Sequence, residues 1–94
     1  MMEEQLYITA LYDYYANLLT EKQRGYFEEY YFDNLTMEEI ATNMEISKNA
    51  VSKCLMEVKE KLEFYEHALH LYENKQKIKK ALTKEELDKI VEFI

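Results

Sequence analysis

Apolar residues recur along the chain at steps of three and four, the spacing that gathers them on one face of an α-helix. Tyr7, Leu11, Tyr14 and Leu18 form one stripe, and Ile8, Leu11, Tyr15 and Leu18 an overlapping one. Together they predict a first helix over residues 4–18. Thr20 opens a second. In TEKQ its hydroxyl can accept from a first-turn N–H while Gln23 reaches back to the Thr20 amide, a capping box. Tyr26, Phe27, Tyr30 and Tyr31 give this helix its apolar side, and Asp33 and Asn34 make a turn. TMEE repeats the capping signal at Thr36 and Glu39, ahead of a short third helix with Ile40, Ala41 and Met44 as its apolar positions. Ser47 caps a fourth. Val51, Leu55, Val58, Leu62, Tyr65, Leu69, Tyr72 and Gln76 then follow at alternating steps of four and three. Such a heptad seam predicts one unbroken helix from Ser47 past Tyr72. A second stripe through Phe64, Ala68 and Leu71, and on to Ile78 and Leu82, widens its apolar arc. Thr83 and Glu86 cap a last short helix bearing Leu87, Ile90, Val91 and Ile94. The expectation is five helices, no sheet, and a single all-α domain over residues 1–94.

Composition agrees with that pattern. The chain of 94 residues has one Gly and no Pro, so the usual breakers of helices are nearly absent. Its nine Tyr suit half-buried helix surfaces and interfaces, because each pairs an apolar ring with a polar tip. Cys54 stands alone, which excludes an internal disulfide and fits a reducing cytoplasm. The opening MMEEQLYI has no basic region before an apolar run, so it does not read as a signal peptide. No stretch approaches the ~20 apolar residues of a membrane span. A soluble, cytoplasmic protein without membrane insertion is expected.

Charge complicates the picture. The formal net charge is −7, but it is unevenly spread. Residues 1–46 carry ten acids and two bases, whereas residues 47–62 carry four Lys and two Glu. The mildly basic part begins where the fourth helix begins. Nucleic-acid domains usually show a stronger basic patch.

Residues 35–55, LTMEEIATNMEISKNAVSKCL, hold the parts of a helix-turn-helix. Ala41 is the small residue for the helix crossing. Met44 and Ile46 are the apolar residues around the turn. Ser47 caps the second helix, and Val51 and Leu55 point inward. Lys48, Asn49, Ser52, Lys53 and Met56 then form its outward face. The N-terminal end of that helix reads base edges in such folds. Lys can contact guanine edges or phosphates, and Asn can pair with adenine. These residues are the candidate DNA contacts, and their plain alternative is a solvated helix face.

The run EIATNMEISKNAV resembles region 4 of bacterial sigma factors, whose pattern is roughly E-I-A-x-x-L-G-I-S-x-x-A-V. That likeness spans residues 20–62. With LLTEKQRGYFEEYYFDNLTMEEIA before the motif and EFYEHALHLYENK after it, the chain is similar to the YlxM-like family of small bacterial proteins. The resemblance implies a winged-helix-like fold of sigma-region-4 style and no enzymatic activity. The helix-turn-helix residues themselves point to regulation through double-stranded DNA. Genes of that family typically neighbour those of signal recognition particle GTPases, so components of that pathway are candidate partners. The alternative is a protein-interaction module that keeps the fold without binding DNA. One departure stands out: the turn Gly of the pattern is Glu45 here, and a left-handed backbone is costly for Glu.

Other chemistry has weaker signals. His67 and His70, with Glu63 and Glu66 one turn earlier, could hold a divalent ion, but solvated pairing is the commoner fate of such residues. Cys54 has no basic partner visible in sequence. No phosphate loop, catalytic triad or carboxylate pair occurs, and no metal or cofactor is expected. Residues 63–94, the long-helix extension and terminal helix, carry more apolar surface than one short helix can cover. A homodimer through this region is therefore expected.

Overall fold

The computed structural model describes residues 2–94, and within them every regular element is helical. The helices are α1 (Met2–Tyr15), α2 (Glu21–Tyr31), α3 (Met37–Met44), α4 (Lys48–Leu69), α5 (Leu71–Ala81) and α6 (Lys84–Ile90). Short 3₁₀ turns follow α1 (Ala16–Leu18) and α6 (Val91–Phe93). No strand occurs among the described residues, so the wing of a winged helix is not found there.

The starts of the helices follow their caps. The Thr20, Thr36 and Thr83 hydroxyls each accept the N–H three residues on, and Gln23, Glu39 and Glu86 answer with a bond to the cap amide. The backbone N–H of Thr36 and its side chain hold the Glu39 carboxyl below its ordinary value. Ser47 accepts from Ala50 N at 3.1 Å to start α4.

α4 is the strut that joins two adjacent cores. Toward its N-terminus, Val51 and Leu55 pack with Tyr26, Ile40 and Ala41. Farther along, Val58 and Leu62 pack with Ile8, Leu11, Tyr12, Tyr15 and Leu19 and with Phe27 from α2. Tyr12 stacks on Phe27 with ring centroids 4.2 Å apart, and its hydroxyl donates to Glu28. Burial, followed by that carboxylate, pushes the Tyr12 phenol well up. The tightening of the chain after Tyr15 rotates the register. Leu19 is therefore buried and Leu18 is 50% exposed, the reverse of the inward place the stripes gave Leu18.

The long helix does not continue past Tyr72. It ends at Leu69, and His70 adopts a left-handed backbone with φ 56° and ψ 29°. The chain then starts again as α5, which makes six α-helices among the described residues instead of five. The cause is Glu66, a carboxylate only 7% exposed. Its Oε1 accepts the Tyr15 hydroxyl at 2.6 Å and the Tyr72 N–H at 3.1 Å. Its Oε2 accepts the Glu73 N–H at 3.0 Å. The Tyr15 hydroxyl oxygen in turn accepts the Leu71 N–H at 3.1 Å. One acid from the end of α4 and one phenol from α1 thus satisfy three first-turn donors of α5, donors that an unbroken helix would have bonded to its own carbonyls. The bend also decides what is covered. Tyr65 and Tyr72 return to the core around α1, while Phe64, Leu69 and Leu71 stay exposed.

Replacing Tyr15 by Phe removes one hydroxyl and leaves both Glu66 and the Leu71 amide short of a partner. The expected loss is about 1–3 kcal/mol, since buried groups stranded this way forfeit their desolvation cost. Thermal unfolding followed by circular dichroism should show the midpoint falling by roughly 4–8 °C for each kcal/mol. Tyr14→Phe is the control. Its hydroxyl reaches only Ile94 O at 3.5 Å, and it should stay close to the wild type.

Candidate nucleic-acid interface

α3, the turn and the first half of α4 form the helix-turn-helix unit. Ala41 is buried where the two helices cross, beside Ile40, Val51 and Leu55. A larger side chain there would push the helices apart. The turn residue Glu45 has φ 56° and ψ 43°, so the chain adopts the geometry glycine favours while carrying a glutamate. The turn is held by Ile46 N–H to Ala41 O at 3.0 Å and Glu45 N–H to Thr42 O at 3.4 Å. Ile46 is half-buried against this core. Met44, a hydrophobic position by sequence, is 38% exposed; it lies across Gly25, whose added Cβ would stand 3.7 Å from Met44 Cε.

The face expected to meet DNA is on the outside of α4. Lys48, Asn49 and Lys53 are exposed, Ser52 is half-buried at the edge, and Met56 is 60% exposed. The first turn of α4 holds no acid, which leaves the positive end of its macrodipole unopposed within the helix. Across the turn the situation differs. Lys48 Nζ lies 2.9 Å from Glu38 Oε1 of α3, with both side chains largely in solvent. An exposed pair of this kind contributes at most about 1 kcal/mol, but it occupies one of the two lysines of the face. Residues 47–62 carry four lysines and two glutamates, but Glu45 immediately precedes the helix and Glu38 pairs with Lys48, so the positive excess there is small. Lys48 also stands on a groove of about 760 Å³ between α1, the α2–α3 turn and α3, lined by Leu6, Tyr30, Phe32 and Met37 among others.

The remaining sequence candidates separate. Cys54 is half-buried beside the helix-turn-helix core. Glu63, His67 and His70 are exposed, whereas Glu66 is buried. Sequence reasoning placed Glu66 among solvated pairs and missed its part in the bend. The available signal was its position, four residues after Leu62 on the inner side of the helix.

This geometry is that of a helix-turn-helix protein. Residues 2–92 match the UPF0122 family, described as "Putative helix-turn-helix protein, YlxM / p13 like", and the chain belongs to that family. A UPF0122 protein of Ureaplasma parvum serovar 3 is 51% identical over 71 residues, covering 76% of this chain and 72% of the relative. One from Caldanaerobacter subterraneus subsp. tengcongensis is 39% identical over 84 residues, covering 89% and 72%. One from Geobacillus sp. is 39% identical over 82 residues, covering 87% and 74%. No helix of the described residues is long and apolar enough to cross a membrane.

Glu45→Gly should stabilise the protein by about 1 kcal/mol, because glycine adopts the left-handed turn without the clash of a Cβ. Urea unfolding with an unchanged slope and a higher midpoint is the expected result. A lower midpoint would mean that Glu45 makes up its backbone cost elsewhere.

Proposed function

We propose that this chain is a DNA-binding regulatory protein, not an enzyme, and that it presents the N-terminal end of α4 to the major groove. The supporting observation is the shared outward face of Lys48, Asn49, Ser52 and Lys53 on the second helix of a helix-turn-helix. The capped, acid-free start of α4 adds a favourable dipole for phosphate. Of the ten acids in residues 1–46, Glu38 lies against Lys48 at the edge of this face. Two copies of the chain, joined over the apolar surface left outside by Phe64, Leu69 and Leu71, present two such helices. Each weak site then gains from the effective concentration set by the other. The likeness to YlxM-like proteins extends the proposal to the signal recognition particle pathway, whose components are the candidate protein partners.

A second reading has its own support. Lys48 is taken up by Glu38, which leaves little free positive charge on the face, as suits a protein-interaction module that retains the fold. The discriminating experiment is an anisotropy titration of duplex DNA at low salt. The wild type should bind, and affinity should fall as salt rises, with roughly 0.9 of logarithmic slope for each lysine contact. Lys48→Glu with Lys53→Glu should abolish binding with the circular dichroism unchanged. Glu38→Gln should tighten it several-fold by freeing Lys48 and removing an acid. A wild type that fails to bind at low salt would hand the function to the interaction module. A double variant that binds as well as the wild type would move the contact away from α4.

Sedimentation velocity tests the pairing of chains. A dimer at micromolar concentration is expected, with Leu69→Lys shifting it to monomer. A wild-type monomer would remove the two-helix arrangement.

A further inference from the structure

The bend between α4 and α5 gathers more donor atoms than a helix joint needs. Ligand atoms of Glu66, His70 and Glu73 all lie within 4.8 Å of one another. His70 Nδ1 and Glu73 Oε2 are 2.8 Å apart. A carboxylate oxygen only accepts, and a neutral imidazole nitrogen without its proton also only accepts. With its proton on Nδ1, His70 donates an ordinary hydrogen bond to Glu73 Oε2; with the proton on Nε2, the two acceptors form a pair that one metal ion can bridge. Donors sharing one small ion at bond lengths of about 2.0–2.2 Å stand roughly 3 Å from each other.

Glu66 supplies the third donor. It is buried among neutral hydrogen-bond donors, and no ion pair to it occurs among the described residues. Buried charges are normally paired or bound to metal. Its Oε1 takes two hydrogen bonds and its Oε2 only one, which leaves Oε2 a lone pair. The Tyr15 hydroxyl and the two amides fix the carboxylate in orientation, as second partners do for metal-bound acids. Glu66, His70 and Glu73 line a cavity of about 590 Å³, together with Glu63 and His67. Three carboxylates, those of Glu63, Glu66 and Glu73, line it, and Glu73 also pairs with Lys77 through Oε1 at 3.1 Å. The Tyr7 phenol on its wall is pushed up by burial first, and then by Glu66 and Glu63.

We propose that this elbow is a binding site for a divalent first-row transition-metal ion, ligated by His70 Nδ1 and the carboxylates of Glu66 and Glu73. An imidazole with two carboxylates suits Zn²⁺, Co²⁺ or Mn²⁺ better than Mg²⁺, which prefers oxygen alone. The ion would tie the last turn of α4 to the first turn of α5 and so hold the angle of the C-terminal segment. This inference is independent of the DNA reading, since its ligands lie outside the Lys48–Lys53 face.

The test is calorimetric titration of the full chain with Zn²⁺, with a Co²⁺ visible spectrum and thermal midpoints recorded alongside. One Zn²⁺ per chain should bind, the midpoint should rise, and Co²⁺ should show the d–d bands of nitrogen and oxygen ligation. His70→Asn keeps a residue that tolerates the left-handed backbone, and Glu73→Gln keeps the helix start. Each should weaken Zn²⁺ binding at least tenfold while the apo circular dichroism stays that of the wild type. The proposal fails if Zn²⁺ neither binds nor raises the midpoint, if both variants bind it as the wild type does, or if Mg²⁺ raises the midpoint equally.

Discussion

A buried carboxylate with three hydrogen-bond donors aimed at it is the constraint on which the rest of the C-terminal half depends. Glu66 cannot be desolvated in an apolar core unless its oxygens are satisfied, and the cost of failure is larger than the gain from any one bond. The satisfying groups come from two elements far apart in sequence, the Tyr15 phenol in α1 and the opening amides of α5. Their demands coincide only if the chain turns at His70. The position of α5 against α1, the return of Tyr72 to the core and the exposure of Leu69 all follow from that turn. Burial, together with the Glu66 bond, pushes the Tyr15 phenol up to about 12, so the bond keeps its proton through the neutral range.

At the other end of α4 the constraint is electrostatic. The helix-turn-helix is built with its crossing residue, its inward positions and its cap in place, and the strained Glu45 turn is held by two backbone bonds. The positive charge of the surface it presents is reduced, because Lys48 of α4 pairs with Glu38 of α3. The same is true lower down, where Lys59 pairs with Glu4 of α1. Positive charge on this helix is in part already committed within the molecule.

Much of this fold was legible in the sequence because its signals are local. Thr20, Thr36, Ser47 and Thr83 cap the helices they were expected to cap, since a side-chain cap needs only residues within four positions of each other. Val51, Leu55, Val58 and Leu62 are buried as their spacing required. The break at His70 was not legible by periodicity, because the three-and-four spacing runs through it undisturbed and no Gly or Pro marks it. It arises from a tertiary bond between residues 51 positions apart. The candidate site shows the same division. The outward face of α4 follows from helical spacing, but the pairing of Lys48 with Glu38 spans the turn and depends on how α3 crosses α4.

The first turn of a helix is ordinarily its most solvent-open part, where amide hydrogens exchange freely because no carbonyl precedes them. In α5 those amides are the ones bound by Glu66 and the Tyr15 hydroxyl. Leu71, Tyr72 and Glu73 therefore lose their hydrogens only when the side chains of α1 and α4 let go. The joint opens as one unit with the core it is tied to, and the fraying end of the C-terminal segment is displaced outward, toward α6.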